Sequence, residues 1–169
     1  QKCKQCGREI YFDGICASCR EENERNRILA MTQGELDLAL RQVCREIEET
    51  GALEKEWDLF KKLLDYRDID TAALAEIAFQ KGAFYPCELY KDAPEGVVKK
   101  MLGMVMEDST DAGLAGRLLL CLAVHGGEEV FQAFLELEHH PRKWREKLYV
   151  NPSCYAVYGG WSYDKDGNF

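Results

Sequence analysis

Four cysteines fall within the first 19 residues, as Cys3-Lys4-Gln5-Cys6 followed by Gly7, and as Cys16-Ala17-Ser18-Cys19. Each is a C-x-x-C pair, a short turn that presents two sulfurs on one side of a metal ion. Two such pairs supply the four soft ligands, at roughly 2.3 Å each, that tetrahedral Zn²⁺ takes from thiolates. The chemistry expected of Cys3, Cys6, Cys16 and Cys19 is therefore coordination of one zinc ion. Four thiolates close the shell and leave no position for water or substrate. The metal is accordingly expected to be structural, folding a segment too small to have its own core.

Two other uses of paired cysteines fit the chain less well. Disulfides would suit a secreted domain, but no stretch resembles a secretory signal peptide. The remaining cysteines, Cys44, Cys87, Cys121 and Cys154, stand singly, as reduced core thiols do. A redox C-x-x-C pair would sit in a βαβ pattern, and neither pair has one around it.

The elements needed to bring the two pairs together are readable around them. Arg8 to Phe12 followed by Asp13-Gly14-Ile15 predicts a β-hairpin with an Asp-Gly turn, folding one pair onto the other. After Cys19 the run from Arg20 to Leu29 is strongly helix-forming and almost without turn residues, and predicts a helix whose N-terminus carries the second pair. Pair, hairpin and helix together resemble the treble-clef and zinc-ribbon group of small zinc modules, over about the first 25 residues. The resemblance implies Cys3, Cys6, Cys16 and Cys19 as ligands, with Gly7 supplying open backbone after the first pair.

Zinc modules of this kind often bind nucleic acid, which requires a basic face. Residues 1–31 carry six Lys/Arg and five Asp/Glu, and four thiolates holding Zn²⁺ bring that segment to about −1. The rest of the chain carries 16 basic and 25 acidic side chains, within a formal total of −8. An acidic body repels phosphate backbones, so a protein partner is expected over nucleic acid. The nucleic-acid alternative would use Lys2, Lys4, Arg8, Arg20, Arg25 and Arg27, with the cluster Arg142, Lys143, Arg145 and Lys147 around Trp144.

From Thr32 onward the signals are helical, with apolar residues making up 46% of the chain and enough length for one ordinary domain beside the zinc module. Thr32-Gln33-Gly34-Glu35 has capping-box spacing, before a stripe of Leu36, Leu40, Val43, Cys44 and Ile47 that stops at Thr50-Gly51. Leu53, Trp57, Phe60 and Leu64 predict a second helix, ended by Asp68-Ile69-Asp70. Asp70 can cap a third through Leu74, Ile77 and Ala78, stopping at Gly82, and Ala83 to Asp92 reads as a loop. Pro94 opens a helix through Val97, Val98, Met101, Leu102, Val105 and Met106. Ser109 or Thr110 caps the nearly apolar Ala112–Val124, in which Gly113, Ala115 and Gly116 would permit close approach of a neighbour. His125-Gly126-Gly127 separates it from a last helix carrying Val130, Phe131, Phe134, Leu135 and Leu137, which stops before Pro141.

Helix starts near 53 and 72 are echoed near 95 and 112, an offset of about 40 residues that lies in the range of two-helix solenoid units. The segment from Gly113 to Leu137 resembles a HEAT-type unit in general pattern, a likeness extending over 53–140. It implies stacked antiparallel helices offering a surface to another protein. A compact irregular helical domain is the alternative arrangement.

Beyond Pro141 the chain turns aromatic and rich in turn residues. Trp161-Ser162-Tyr163 with Asp164 to Asn168 and Phe169 predicts a short β-hairpin start, as though a further domain were truncated there. Gln1 in place of an initiator Met also suggests a piece of a longer protein. Asp164-Lys165-Asp166-Gly167 has the opening spacing of a calcium loop without its later ligands, and reads as a turn. His125, His139 and His140 with Cys87, Cys121 and Cys154 hold no metal-site spacing, and no acidic pair or phosphate-binding glycine loop nominates a catalytic site.

The sequence thus predicts a mainly α protein in three parts: a four-cysteine zinc module at 1–31, a helical, HEAT-like domain at 32–140, and an aromatic segment at 141–169. The expected function is a non-catalytic zinc-binding protein-interaction module, located in the cytoplasm. The alternatives are zinc-dependent nucleic-acid binding and a docking or regulatory arm for an enzyme domain lying C-terminal to this chain. No apolar run approaches the roughly 18 to 20 residues of a membrane span, the longest being Leu118 to Val124.

Overall fold

The structure, a computed structural model, describes residues 1–107 and 109–139. The expectations for 141–169, including the hairpin start, the Asp164–Gly167 turn and the Arg142–Lys147 cluster, lie outside the described residues, as do His140 and Cys154. Within them the chain is mainly helical: α1 Ala17–Leu29, α2 Gln33–Thr50, α3 Trp57–Tyr66, α4 Ala72–Gln80, a one-turn 3-10 helix Cys87–Tyr90, α5 Glu95–Met106, α6 Ala112–His125 and α7 Glu128–His139. The described residues divide into two compact units, one of 1–43 with 55–69, the other of 44–54 with the described residues from Asp70 to His139.

In the first unit, α1 is almost wholly polar and buries only Cys19 and Ile28. Such a helix is held by its neighbours and its ends rather than by a broad apolar face. It packs on α3, which buries Phe60 and Leu63. The Nη1 of Arg67, the residue that ends α3, donates to the carbonyls of Ile28 at 3.0 Å, Leu29 at 3.2 Å and Met31 at 2.8 Å. These oxygens lie at and just past the end of α1, where carbonyls have no partner inside the helix. Thr32 Oγ1 accepts from Glu35 N at 3.2 Å, the first half of the predicted capping box at the start of α2.

Two helical faces are turned slightly from the expected stripes. On α2 the buried positions are Leu36, Ala39, Val43 and Ile47, while Leu40 and Cys44 are half-buried. On α3 it is Leu63 rather than Leu64 that is fully buried, and the helix begins at Trp57, leaving buried Leu53 in the turn before it. In both helices the side chain one position earlier lies closer to the centre of the buried face, which the apolar pattern alone does not resolve.

In the second unit, α4 buries Leu74, Ala75 and Ala78, and α5 buries Val97, Val98, Met101 and Val105. Leu118, Leu119, Cys121 and Leu122 from α6 and Val130, Phe134 and Leu137 from α7 complete the core. The entrance to α4 is dressed by two carboxylates. Asp70 Oδ1 accepts from Ala72 N at 2.9 Å, but the N-cap residue of α4 is Thr71, so Asp70 stands one residue ahead of the capping position predicted for it and closes an Asx-type turn instead. Asp92 Oδ2 accepts from the Thr71 N–H at 2.9 Å and from its hydroxyl at 3.2 Å, while Asp92 N donates back to Thr71 Oγ1 at 3.1 Å.

The segment predicted as a loop, Ala83 to Asp92, is the most instructive difference. It contains the 3-10 turn Cys87–Tyr90, packed on α6 and α4, with Leu89 and Tyr90 fully buried. Tyr90 donates to the Ala83 carbonyl at 2.8 Å, and its ring stacks on Phe84 at 6.1 Å, so the aromatic side chains fold the segment inward on itself. The cap of α6 also moves by one residue from the predicted Ser109 or Thr110. Thr110 Oγ1 is engaged with the Met104 carbonyl at 2.6 Å, and Asp111 accepts from Leu114 N at 3.0 Å. Of the small residues on α6, Ala115 is fully buried, whereas Gly113 is exposed beside its own cap.

Candidate metal centre

The backbone around the first cysteine pair folds into a tight knuckle. Gly7 N donates to the Cys3 carbonyl at 3.0 Å and Cys3 N to the Arg8 carbonyl at 2.8 Å, while Ile10 N donates to Gln1 O at 2.9 Å. Gly7 takes φ +73°, in the left-handed region where a side chain is disfavoured, which gives the glycine after the first pair a physical reason. The antiparallel pairing joins Lys2 to Glu9 across the knuckle.

This differs from the predicted hairpin. Arg8 to Phe12 does not pair with a return strand after Asp13-Gly14, because only Ile15 separates Gly14 from Cys16, which already caps α1. The chain instead bends over 11–14, and Lys4 N donates to the Gly14 carbonyl at 2.9 Å. That bond draws the second pair back over the first.

Cys16 is the N-cap residue of α1 and Cys19 lies in its first turn, so both sulfurs of the second pair sit where the helix dipole favours negative charge. All four sulfurs lie within 4.8 Å of one another, with Cys6 Sγ 3.6 Å from Cys16 Sγ. A tetrahedron of sulfurs around a metal at about 2.3 Å has edges of about 3.8 Å. The cluster has the dimensions of a four-thiolate metal site, and its soft donors fit such an ion. Among the described residues it is the only group of three or more such side chains placed to hold one.

The cluster is asymmetric in exposure and in protonation. Cys3 and Cys19 are 3% and 5% exposed, Cys16 is half-buried and Cys6 is exposed. Cys3 Sγ accepts from Cys16 N at 3.2 Å; that N–H, and then the N–H of Cys6, lower the Cys3 thiol to about 5. Cys19 moves the other way, its thiol raised by hydrogen bonding to the Cys16 and then the Cys6 sulfur. Sulfurs this close resist ionising together, and a bound cation removes their mutual repulsion.

Beside the cluster the loop between the pairs projects into solvent. Tyr11 is 97% exposed and Phe12 82%, and with Ile10, Ile15 and Arg20 they line a cleft of about 630 Å³. The sequence reading placed these aromatics in a strand and missed their exposure; two adjacent aromatics beside an Asp-Gly bend were the available signal. Among the six N-terminal basic residues of the nucleic-acid alternative, Lys4 pairs with Asp13 at 3.2 Å and Arg27 pairs with Glu24. Cys44, Cys87 and Cys121 are free thiols elsewhere, and Cys121 donates to the Phe84 carbonyl at 3.3 Å, consistent with a core residue.

Comparison of the chain with known protein families, with curated proteins and with solved structures finds no match. Among the described residues no helix is long and apolar enough to cross a membrane.

Proposed function

We propose that the chain is a zinc-binding protein-interaction module in which Cys3, Cys6, Cys16 and Cys19 hold one structural Zn²⁺. The observation that carries this reading is the convergence of four sulfurs within 4.8 Å of one another, near the spacing of about 3.8 Å that four thiolates take around one Zn²⁺. Four thiolates fill the tetrahedral shell, so the ion binds no water to activate and its role is structural rather than catalytic. Zinc ties the knuckle to the first turn of α1, an anchorage the polar α1 needs because it buries so little apolar surface. The helices that follow serve as the scaffold, offering a surface to a partner in the manner of HEAT-type units, and the protein works in the cytoplasm.

The exposed Tyr11 and Phe12 favour a protein partner. Two neighbouring aromatics in water are costly unless they are used, and aromatic side chains are typical anchors of protein interfaces. Arg20, on the wall of the same cleft, is exposed, pairs with no carboxylate among the described residues, and is placed to meet a carboxylate of that partner. A photo-crosslinking residue at position 12 should yield one discrete protein adduct, with none from the same residue at position 22 on α1. Nuclease-sensitive adducts, or a salt-dependent mobility shift with unspecific DNA or RNA, would instead establish the nucleic-acid reading.

A further inference from the structure

The four sulfurs are not equivalent, and their differences define a site of oxidation. Cys3 and Cys19 are buried, and Cys3 is further tied by the N–H of Cys16. Cys6 stands exposed, and the sulfur it approaches at 3.6 Å is that of Cys16, from the other pair. A solvent-borne oxidant therefore meets Cys6 first, and Cys16 is within reach of the oxidised sulfur after a small side-chain rotation.

We propose that Cys6 and Cys16 form a peroxide-reactive couple that closes as a disulfide between the two knuckles and releases the metal. The inference rests on the zinc reading above. The Cys6 thiolate attacks one oxygen of a hydroperoxide; the O–O bond breaks, the second oxygen leaves as hydroxide or alkoxide, and Cys6 becomes a sulfenic acid. The Cys16 thiolate then attacks the Cys6 sulfur, the S–S bond forms and hydroxide departs. Overall two thiolates lose two electrons, the peroxide gains them and takes up two protons, and its oxygens end as two waters or as water and an alcohol. Zn²⁺ is left with Cys3 and Cys19 alone, half its shell, and dissociates. Since Cys6 and Cys16 come from different pairs, the disulfide keeps the knuckle fixed to α1 while the metal is away. Reduction by a thiol restores both thiolates and the site.

The test uses the full chain, its zinc content measured first, titrated with hydrogen peroxide while a chromogenic chelator follows released metal and peptide mapping follows disulfides. The expected result is one zinc released per disulfide, the linkage joining Cys6 to Cys16, and recovery on adding dithiothreitol. A Cys6→His variant keeps a zinc ligand but lacks the attacking thiol, and should release zinc at least tenfold more slowly at the same peroxide concentration. A linkage within a pair, such as Cys3–Cys6, or release from Cys6→His as fast as from the unmodified chain, would overturn the proposal. A chain purified without zinc would overturn the metal reading and, with it, metal release, which the initial measurement reports separately from the mapped linkage.

Discussion

Replacing Arg67 by Met tests whether the end of α1 is held by α3 as the structure indicates. Methionine keeps much of the aliphatic stem and removes the guanidinium, so packing changes little while all three contacts are lost. One Nη1 carries two hydrogens, so two of the carbonyls of Ile28, Leu29 and Met31 are bonded at a time and the third shares. Hydrogen bonds from a charged donor contribute about 1.5–3 kcal/mol each. Arg67 is half-buried, so water can replace part of that loss, and the lower end applies. A cation at a helix C-terminus adds about 0.3–1 kcal/mol through the dipole. The expected loss is about 3–4 kcal/mol, read from the urea midpoint at constant slope, with amide exchange accelerated at Ala30 and Met31. Arg67→Lys, which keeps the charge without the planar fork, should fall between the two. A loss under about 0.5 kcal/mol for Arg67→Met, or exchange unchanged at the end of α1, would refute the reasoning.

The Thr71–Asp92 exchange gives a prediction with a defined pH window. Burial pushes the Asp92 carboxyl up, but the Thr71 N–H, with Lys91 and the Thr71 hydroxyl, outweighs it and holds the group below its usual value of 3.8. A carboxylate depressed in the folded state stabilises the fold above that usual value, and the contribution is lost as the pH falls below it towards the folded value. Asp92→Ala should cost about 1–3 kcal/mol at neutral pH, because the N–H of fully buried Thr71 loses its acceptor. The variant's acid-unfolding limb should also be shallower below about pH 4 in circular dichroism titration; an unchanged limb would show that Asp92 is not the linked group. Tyr90→Phe leaves the ring stack in place and strips the Ala83 carbonyl of its donor, for an expected loss of about 1 kcal/mol in thermal or urea unfolding.

What the sequence made legible follows from which signals are local. The cysteine pairs could be read because metal ligation fixes both residue type and spacing, and the structure brings all four sulfurs together. Helix order and most breaks were equally legible, since Asp70 at the start of α4 and the turns at Gly51 and Gly126 are set within a few residues of chain. The hairpin between the pairs was misread because turn and strand signals at 8–15 said nothing of Cys16 N, which is committed to Cys3 Sγ thirteen residues away. Ala83–Asp92 failed for a related reason. Gly82 and Tyr85-Pro86 suggested a loop, while the burial of Leu89 and Tyr90 depends on α4 and α6, which no local pattern reports. Arg67 is the clearest case of the limit, its role being set by carbonyls 36 to 39 residues earlier in the chain.

One structural zinc is the claim on which the rest depends. Elemental analysis of the purified chain should give one zinc per chain, with the zinc lost when Cys3, Cys6, Cys16 and Cys19 are all replaced by serine and retained when the distant Cys44, Cys87 and Cys121 are. A chain with no bound metal, with iron in place of zinc, or with zinc that survives loss of the four N-terminal cysteines would contradict it.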